Sequence, residues 1–119
     1  MTLPLADVSF ATDDGVVVAS IRGEIDMSNA GELGDAIGRR LSNDALALVL
    51  DLTAVEYIDS AGIQVIYELH SQLGDRGQAV RVVTTPDALI GEALRLADVP
   101  RVVGVAESLE AALASVRGR

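Results

Sequence analysis

The chain has no cysteine, no lysine, one histidine and only three aromatic residues. Without cysteine there are neither disulfides nor thiolate metal sites, and the redox compartment leaves no mark on the sequence. With His70 alone, a histidine-based catalytic triad or zinc centre would rest on a single imidazole, which disfavours both. An aromatic content of 3% leaves little for base stacking, and a net charge of −9 repels a phosphate backbone, so nucleic acid is not an expected partner. The start, Met1-Thr2-Leu3-Pro4-Leu5-Ala6-Asp7, lacks the basic residues and long apolar run of a signal peptide. No apolar stretch approaches the length of a membrane span. A soluble cytoplasmic protein with no membrane span is the expectation. Arginine supplies every side-chain positive charge, and with abundant Ala, Gly and Val this fits the codon bias of a GC-rich genome.

What is present is the balance of an ordinary globular protein, 50% hydrophobic and 23% charged, and 119 residues suffice for one domain, residues 1–119, with its own core. The charge is uneven. Residues 1–60 hold 11 acids against 3 arginines, whereas residues 61–119 hold 7 against 6. Such acidity either keeps the protein soluble or docks the first half on a basic partner.

Along the chain, Val8 to Ala11 and Val16 to Gly23 read as two strands joined by the turn Thr12-Asp13-Asp14-Gly15. Ser28 or Asn29 can cap a helix with the apolar stripe Leu33, Ala36, Ile37 and Leu41. Gly31, Gly34 and Gly38 lie along one edge of that stripe, each costing about 1 kcal/mol relative to alanine. They mark either a close backbone approach or tolerated weakness. Leu46 to Leu52 is a near-continuous apolar run, as in a central strand covered on both faces. A short acidic turn then leads to Ser60, where a helix begins that carries Ile63, Ile66, Leu69 and Leu73 and stops at Asp75-Arg76-Gly77.

Ala79 to Thr84 is the next strand, and Thr85-Pro86-Asp87 opens a helix with the stripe Leu89, Ile90, Ala93, Leu94 and Ala97 and Pro100 beyond its end. Val102 to Val105 is a short strand, and Ser108 caps a final helix with Leu109, Ala112, Leu113 and Val116. The order β-β-α-β-α-β-α-β-α predicts an α/β fold: a mixed sheet of parallel strands joined by right-handed crossovers, with the N-terminal β-hairpin as an antiparallel edge. Only the first few residues and Arg117-Gly118-Arg119 look loose.

Ser60 is the residue of most interest. At a helix N-terminus, free N–H groups and the macrodipole favour negative charge, so this serine either caps the helix through the N–H of Gly62 or Ile63 or carries a phosphate. As a nucleophile it lacks the G-x-S-x-G setting, because Ile58 and Gly62 flank it, and His70 is about 15 Å further along the helix. Asp59 either caps or contacts whatever reads Ser60. Glu24 and Asp26, two apart on an extended segment, point to one face, but no further oxygen ligands surround them and no metal site is expected.

Gly23-Glu24-Ile25-Asp26, followed by Leu48-Val49-Leu50-Asp51-Leu52-Thr53-Ala54-Val55-Glu56-Tyr57-Ile58-Asp59-Ser60-Ala61-Gly62, resembles the STAS domain (sulfate transporter and anti-sigma factor antagonist). Leu89 to Val116, with Ser108-Leu109-Glu110 and Ala111-Ala112-Leu113, is similar too, and the resemblance spans essentially the whole chain. A lone domain of this kind looks like the free-standing bacterial anti-sigma factor antagonists. The resemblance implies a STAS-like sheet and a non-enzymatic binding module without cofactors, acting in transcription regulation by partner switching. Ser60 is implied as the phosphoacceptor, with Asp26, Asp59 and Gly62 near the docking surface. The implied partners are an anti-sigma factor serine kinase, bound by the unphosphorylated form so that its sigma factor is released, and a PP2C-type phosphatase. Ala61 departs from the pattern, since many members carry a second hydroxyl residue there. The alternative is a non-catalytic STAS subunit of a lipid-transport or stress-sensing complex, in which Ser60 is only a contact.

Overall fold

Six strands hydrogen-bond in sequential order into one sheet in the computed structural model, which describes residues 1–117. They are β1 (Thr2–Leu3), β2 (Ala6–Asp13), β3 (Val16–Ile25), β4 (Ala47–Ile58), β5 (Ala79–Val83) and β6 (Val105–Ala106). The helices are α1 (Ala30–Arg40), α2 (Ser60–Gly74), α3 (Gly91–Leu96), α4 (Val99–Val102) and α5 (Leu109–Arg117). Strands β1 to β3 are antiparallel neighbours, and β3 to β6 run parallel. This is the expected mixed sheet with an antiparallel N-terminal edge, with one strand added at the start and the third helix split in two. No helix among the described residues is long and apolar enough to cross a membrane.

Side-chain alternation along the strands assigns the two faces. Val17, Ala19, Ile21, Leu48, Leu50, Val80 and Val82 form one buried cluster with Leu33 and Ile37 of α1, Ile66, Leu69 and Leu73 of α2, and Leu94 and Val99 further on. Val16, Val18, Ala47, Val49 and Val83 form a second cluster with Ala112, Leu113 and Val116 of α5. Because α5 covers the opposite face, Ala47 to Leu50 is buried on both sides, which is why the run is continuously apolar. Ser108 does cap α5, its Oγ accepting the N–H of Ala111 at 3.1 Å.

Several boundaries differ from the expectation for identifiable reasons. The hairpin turn is two residues, not four: Asp14 and Gly15 take φ of 49° and 84°, the double positive φ of a primed turn, so Thr12 and Asp13 stay paired with Val17 and Val16. The N-terminus is tied down, because Leu3 is buried and the Met1 ammonium donates to the Val8 carbonyl at 2.6 Å. Arg117 closes α5 with its guanidinium on Asp13, while Gly118 and Arg119 lie outside the described residues. Leu46 stays outside β4, which instead runs on to Ile58, so the acidic turn expected before Ser60 is strand. Asp51 Oδ1 accepts the N–H and hydroxyl of Thr53 at 3.0 and 2.7 Å, and the local turn is absorbed as an extra residue opposite Ser20 to Arg22.

Thr85-Pro86-Asp87 forms a turn, and α3 starts only at Gly91, since Leu89 is exposed and the buried stripe begins at Ile90. Asp98, at φ 64°, breaks the helix, and Pro100 opens α4 rather than following the last turn. Val99 and Val103 are buried at helical spacing, so the last strand is shortened to Val105–Ala106. Of the three glycines on α1, only Gly34 faces a neighbour, Val65, whose Cγ1 would lie 3.5 Å from an added Cβ, an ordinary contact; Gly31 and Gly38 face open space.

Candidate functional site

The carboxyl ends of β3 and β4 carry the site. Their register pairs Glu24 with Tyr57 and Ile25 with Ile58, which puts the segments that follow, Asp26 to Asn29 and Asp59-Ser60, side by side. The Asp59 N–H donates to the Ile25 carbonyl at 3.1 Å, fastening the end of one strand to the start of the next helix.

Asp59 alone connects β4 to α2. Its backbone is extended (φ −105°, ψ −172°), as a capping position requires, and its Oδ1 accepts the N–H groups of Ala61 and Gly62 at 2.9 and 3.2 Å. Its carbonyl takes the first helical bond, from Ile63, at 3.0 Å. The cap expected of Ser60 therefore belongs to Asp59. Ser60 is already the first helical residue, where a side chain points away from the orphan N–H groups. It is exposed, and its hydroxyl has no hydrogen-bond partner among the described residues.

Gly62, two residues beyond Ser60, is buried. A Cβ there would stand 2.6 Å from Ile58 Cγ1 and 2.7 Å from Ile25 Cγ2, so its lack of a side chain lets α2 start directly on the strand ends.

The Asp26 segment is held as firmly. Asp26 has left the strand, so it does not share a face with Glu24 as expected; its Oδ1 accepts the N–H and hydroxyl of Ser28 at 2.8 and 2.6 Å. Asn29, expected as a helix cap, makes no capping bond. It is 1% exposed: its Oδ1 accepts the Asp26 N–H at 3.0 Å, and its Nδ2 donates to the carbonyls of Pro4 and Glu24 at 2.6 and 2.8 Å. The amide thus clamps the β1–β2 turn, the end of β3 and the start of α1 together. Gly23, at φ 105°, completes the clamp: a Cβ would fall 2.3 Å from the Leu5 carbonyl, which accepts the Glu24 N–H at 2.9 Å.

Apolar side chains stand exposed around this rigid frame: Met27 at 83%, Leu5 at 58% and Tyr57 at 50%. The acids Glu24, Asp26, Glu56 and Asp59 surround them, giving this end of the sheet a negative potential. His70 is half-buried, about 15 Å along α2 from Ser60, and takes no part. Among the described residues no three histidine or acidic side chains gather to hold a metal ion. The arrangement offers an exposed hydroxyl, free of structural duty, on a fixed surface.

Comparison with known proteins gives a consistent result. The profile of the STAS domain matches residues 7–112. The anti-sigma-F factor antagonist RsfB of Mycobacterium tuberculosis is 33% identical over 112 residues, covering 93% of this chain and 89% of that protein. The crystal structure of an anti-sigma factor antagonist from Mycobacterium paratuberculosis superposes with a TM-score of 0.84 at 32% identity, over 94% of each chain. The anti-sigma factor antagonist SpoIIAA in its unphosphorylated form shares the fold alone, with a TM-score of 0.77 at 14% identity, over 95% of this chain and 98% of that one.

Proposed function

This chain belongs to the STAS domain family, and from that premise we propose that it is an anti-sigma factor antagonist switched by phosphorylation of Ser60. The unphosphorylated form binds an anti-sigma factor that is itself a serine kinase, and the sigma factor is released. The kinase moves the γ-phosphoryl group of ATP to Ser60 Oγ, which loses its proton as ADP leaves, and binding ends. A PP2C-type phosphatase hydrolyses the ester and restores the active form. The reading draws support from relatives named as anti-sigma factor antagonists over nearly the full chain. The observation that carries it to Ser60 is the division of labour between neighbours: Asp59 holds the helix, leaving the exposed Ser60 hydroxyl unengaged.

Phosphate brings about −1.5 to −2 charges to Ser60. The α2 dipole offsets part of that, and the exposed position lets water screen the rest, so the fold tolerates the modification. A partner surface pressed against Ser60 does not. An unpaired charge forced into a contact costs about 3–5 kcal/mol, a loss of roughly 10²- to 4 × 10³-fold in affinity. Reaction with the cognate kinase and ATP, followed by peptide mass spectrometry, tests the assignment. One phosphate on the Ser60 peptide, abolished by Ser60→Ala, is the expected result. Phosphate on Ser28, Ser71 or Ser108 with Ser60 unmodified refutes it.

A further inference from the structure

Strands β5 and β6 are parallel neighbours, yet the chain leaves them toward opposite faces of the sheet. After β5 it runs to α3 and α4, whose Leu94 and Val99 join the cluster of Leu48, Leu50 and Val82; after β6 it runs to α5, whose Leu113 and Val116 join that of Val49 and Val83. Where adjacent parallel strands send their connections to opposite faces, a crevice opens beyond their carboxyl ends, and open α/β sheets bind small ligands there. This chain has that crevice, a cavity of about 200 Å³ whose lining includes Thr84, Leu94, Arg95, Pro100, Val105 and Glu107. It lies apart from Ser60, because Val83 pairs with Asp51 and β4 continues well past that point to Ile58.

Three features of the crevice have no use within the chain. Thr84 is 7% exposed, its N–H is taken by the Ala106 carbonyl, and its Oγ1 is buried without a hydrogen-bond partner among the described residues. Arg95 makes no ion pair among the described residues, since Asp98 is engaged by Arg101 at 2.7 Å. Its guanidinium is folded back over Gly91, with Nη1 3.3 Å from where a Cβ would be. Glu107 follows β6 directly, lines the same crevice and makes no ion pair among the described residues. Leu94, Pro100 and Val105 give the wall an apolar part, beside Thr85.

We propose that this crevice binds a free amino acid with a short aliphatic side chain. The Arg95 fork suits the ligand's carboxylate, Glu107 its ammonium group, and the apolar part of the wall its side chain. The cavity is smaller than the roughly 300–1,000 Å³ that drug-sized ligands occupy, which restricts the ligand to a small metabolite. Opposite charges lining one small space call for both charges on one small molecule, which neither inorganic phosphate nor a peptide end provides. The site is independent of whether Ser60 is phosphorylated.

Amide NMR titration of the intact chain with L-alanine and L-valine tests this. Saturable shifts should concentrate at Thr84, Leu94, Val105 and Glu107. Propionate, lacking the ammonium, and alaninamide, lacking the carboxylate, should bind at least about tenfold more weakly, the factor expected from losing one charged hydrogen bond. Arg95→Gln and Glu107→Gln change exposed side chains, so the spectra should otherwise superimpose while affinity falls by a similar factor. Absence of saturable shifts up to about 20 mM overturns the proposal, since such binding would contribute under roughly 2.5 kcal/mol, the tenfold-per-1.4 kcal/mol conversion of a Kd that weak. Shifts that survive both substitutions, or that phosphate produces equally well, overturn it too.

Discussion

Replacing Asp59 with alanine should destabilise the fold, whereas replacing Ser60 with alanine should leave it almost unchanged. One carboxylate oxygen of Asp59 accepts two N–H groups, from Ala61 at 2.9 Å and Gly62 at 3.2 Å, and its removal orphans both. Loss of such a cap costs about 0.5–2 kcal/mol, with the charge at the helix N-terminus favouring the upper half of that range. Ser60 is exposed at the first helical position and its hydroxyl engages nothing among the described residues. Alanine is the best helix former, so Ser60→Ala should fall within about 0.5 kcal/mol of the parent. Asp59→Asn keeps an acceptor oxygen and loses only the charge, so it should lie between the two. In a domain of this size each 1 kcal/mol moves the thermal midpoint by about 3–6 °C. Urea titrations followed by far-UV circular dichroism measure all three, and the slope must be unchanged for the comparison to hold. If Ser60→Ala loses as much as Asp59→Ala, the serine hydroxyl holds the helix start and is not free for transfer. If Asp59→Ala loses nothing, the capping geometry described above is wrong.

Ser60→Glu should leave the circular dichroism spectrum intact but weaken kinase binding, by less than true phosphate because it carries one charge rather than about two; binding equal to that of Ser60→Ala contradicts the electrostatic mechanism. Gly62→Ala should cost about 1–3 kcal/mol by overpacking, since the new methyl group meets Ile58 and Ile25 at 2.6 and 2.7 Å, and a parent-like urea midpoint would show that the strand ends yield more easily than argued. Kinase association should slow as the Debye length falls below about 8 Å; Glu24→Gln and Glu56→Gln should flatten that dependence while Glu92→Gln and Glu110→Gln do not, and equal effects from all four would assign the acidity to solubility. Arg101 holds the Asp98 carboxyl below its usual value, first through a hydrogen bond and then by charge. A lowered folded-state pKa contributes stability above the unfolded-state value that is lost as pH falls through the folded one, so NMR titration should find Asp98 titrating below its usual range and Arg101→Gln should raise it.

The alternating order of strands and helices and the closing signals were legible because they are local. Asp75-Arg76-Gly77 stops α2 with Gly77 at φ 74°, and Ser108 caps α5. The length of β4 was hidden because its buried residues beyond Leu50 are Leu52, Val55 and Ile58, at intervals of three, where a strand alternates by two. The irregularity arises where β4 takes an extra residue against β3, first opposite Ser20 to Arg22 and again opposite Gly23 to Glu24, and only the partner strand reveals it. That hidden length also moved the cap by one residue. Asp59 and Ser60 are both good capping residues, and what decides between them is that the strand reaches Ile58. Asn29 escaped for a different reason: one of its clamping bonds goes to Pro4, a contact no local pattern carries. Thr85-Pro86-Asp87 had the right chemistry for a helix start, but burial begins at Ile90 and tertiary packing overrode the local signal.

The rigidity of the strand ends bears on how a phosphate at Ser60 would act. Asp59 is tied to Ile25, α2 rests on Ile25 and Ile58 through Gly62, and Asn29 locks the neighbouring turn. A helix seated this tightly has little room to shift, so the added charge is not relieved by rearrangement. Within the protein it meets the positive end of α2 and the Asp59 carboxylate, two opposing effects of about 1 kcal/mol or less at an exposed position. At a closed interface, where water is excluded, the same charge costs several times more. The disparity between the two environments places the effect of phosphorylation in the complex rather than in the fold, which argues for a switch that works by charge and occlusion on a preformed surface. Amide spectra of the phosphorylated chain should accordingly change only around residues 24–29 and 56–64. Shifts spreading into β5 or α5 would point instead to a conformational mechanism.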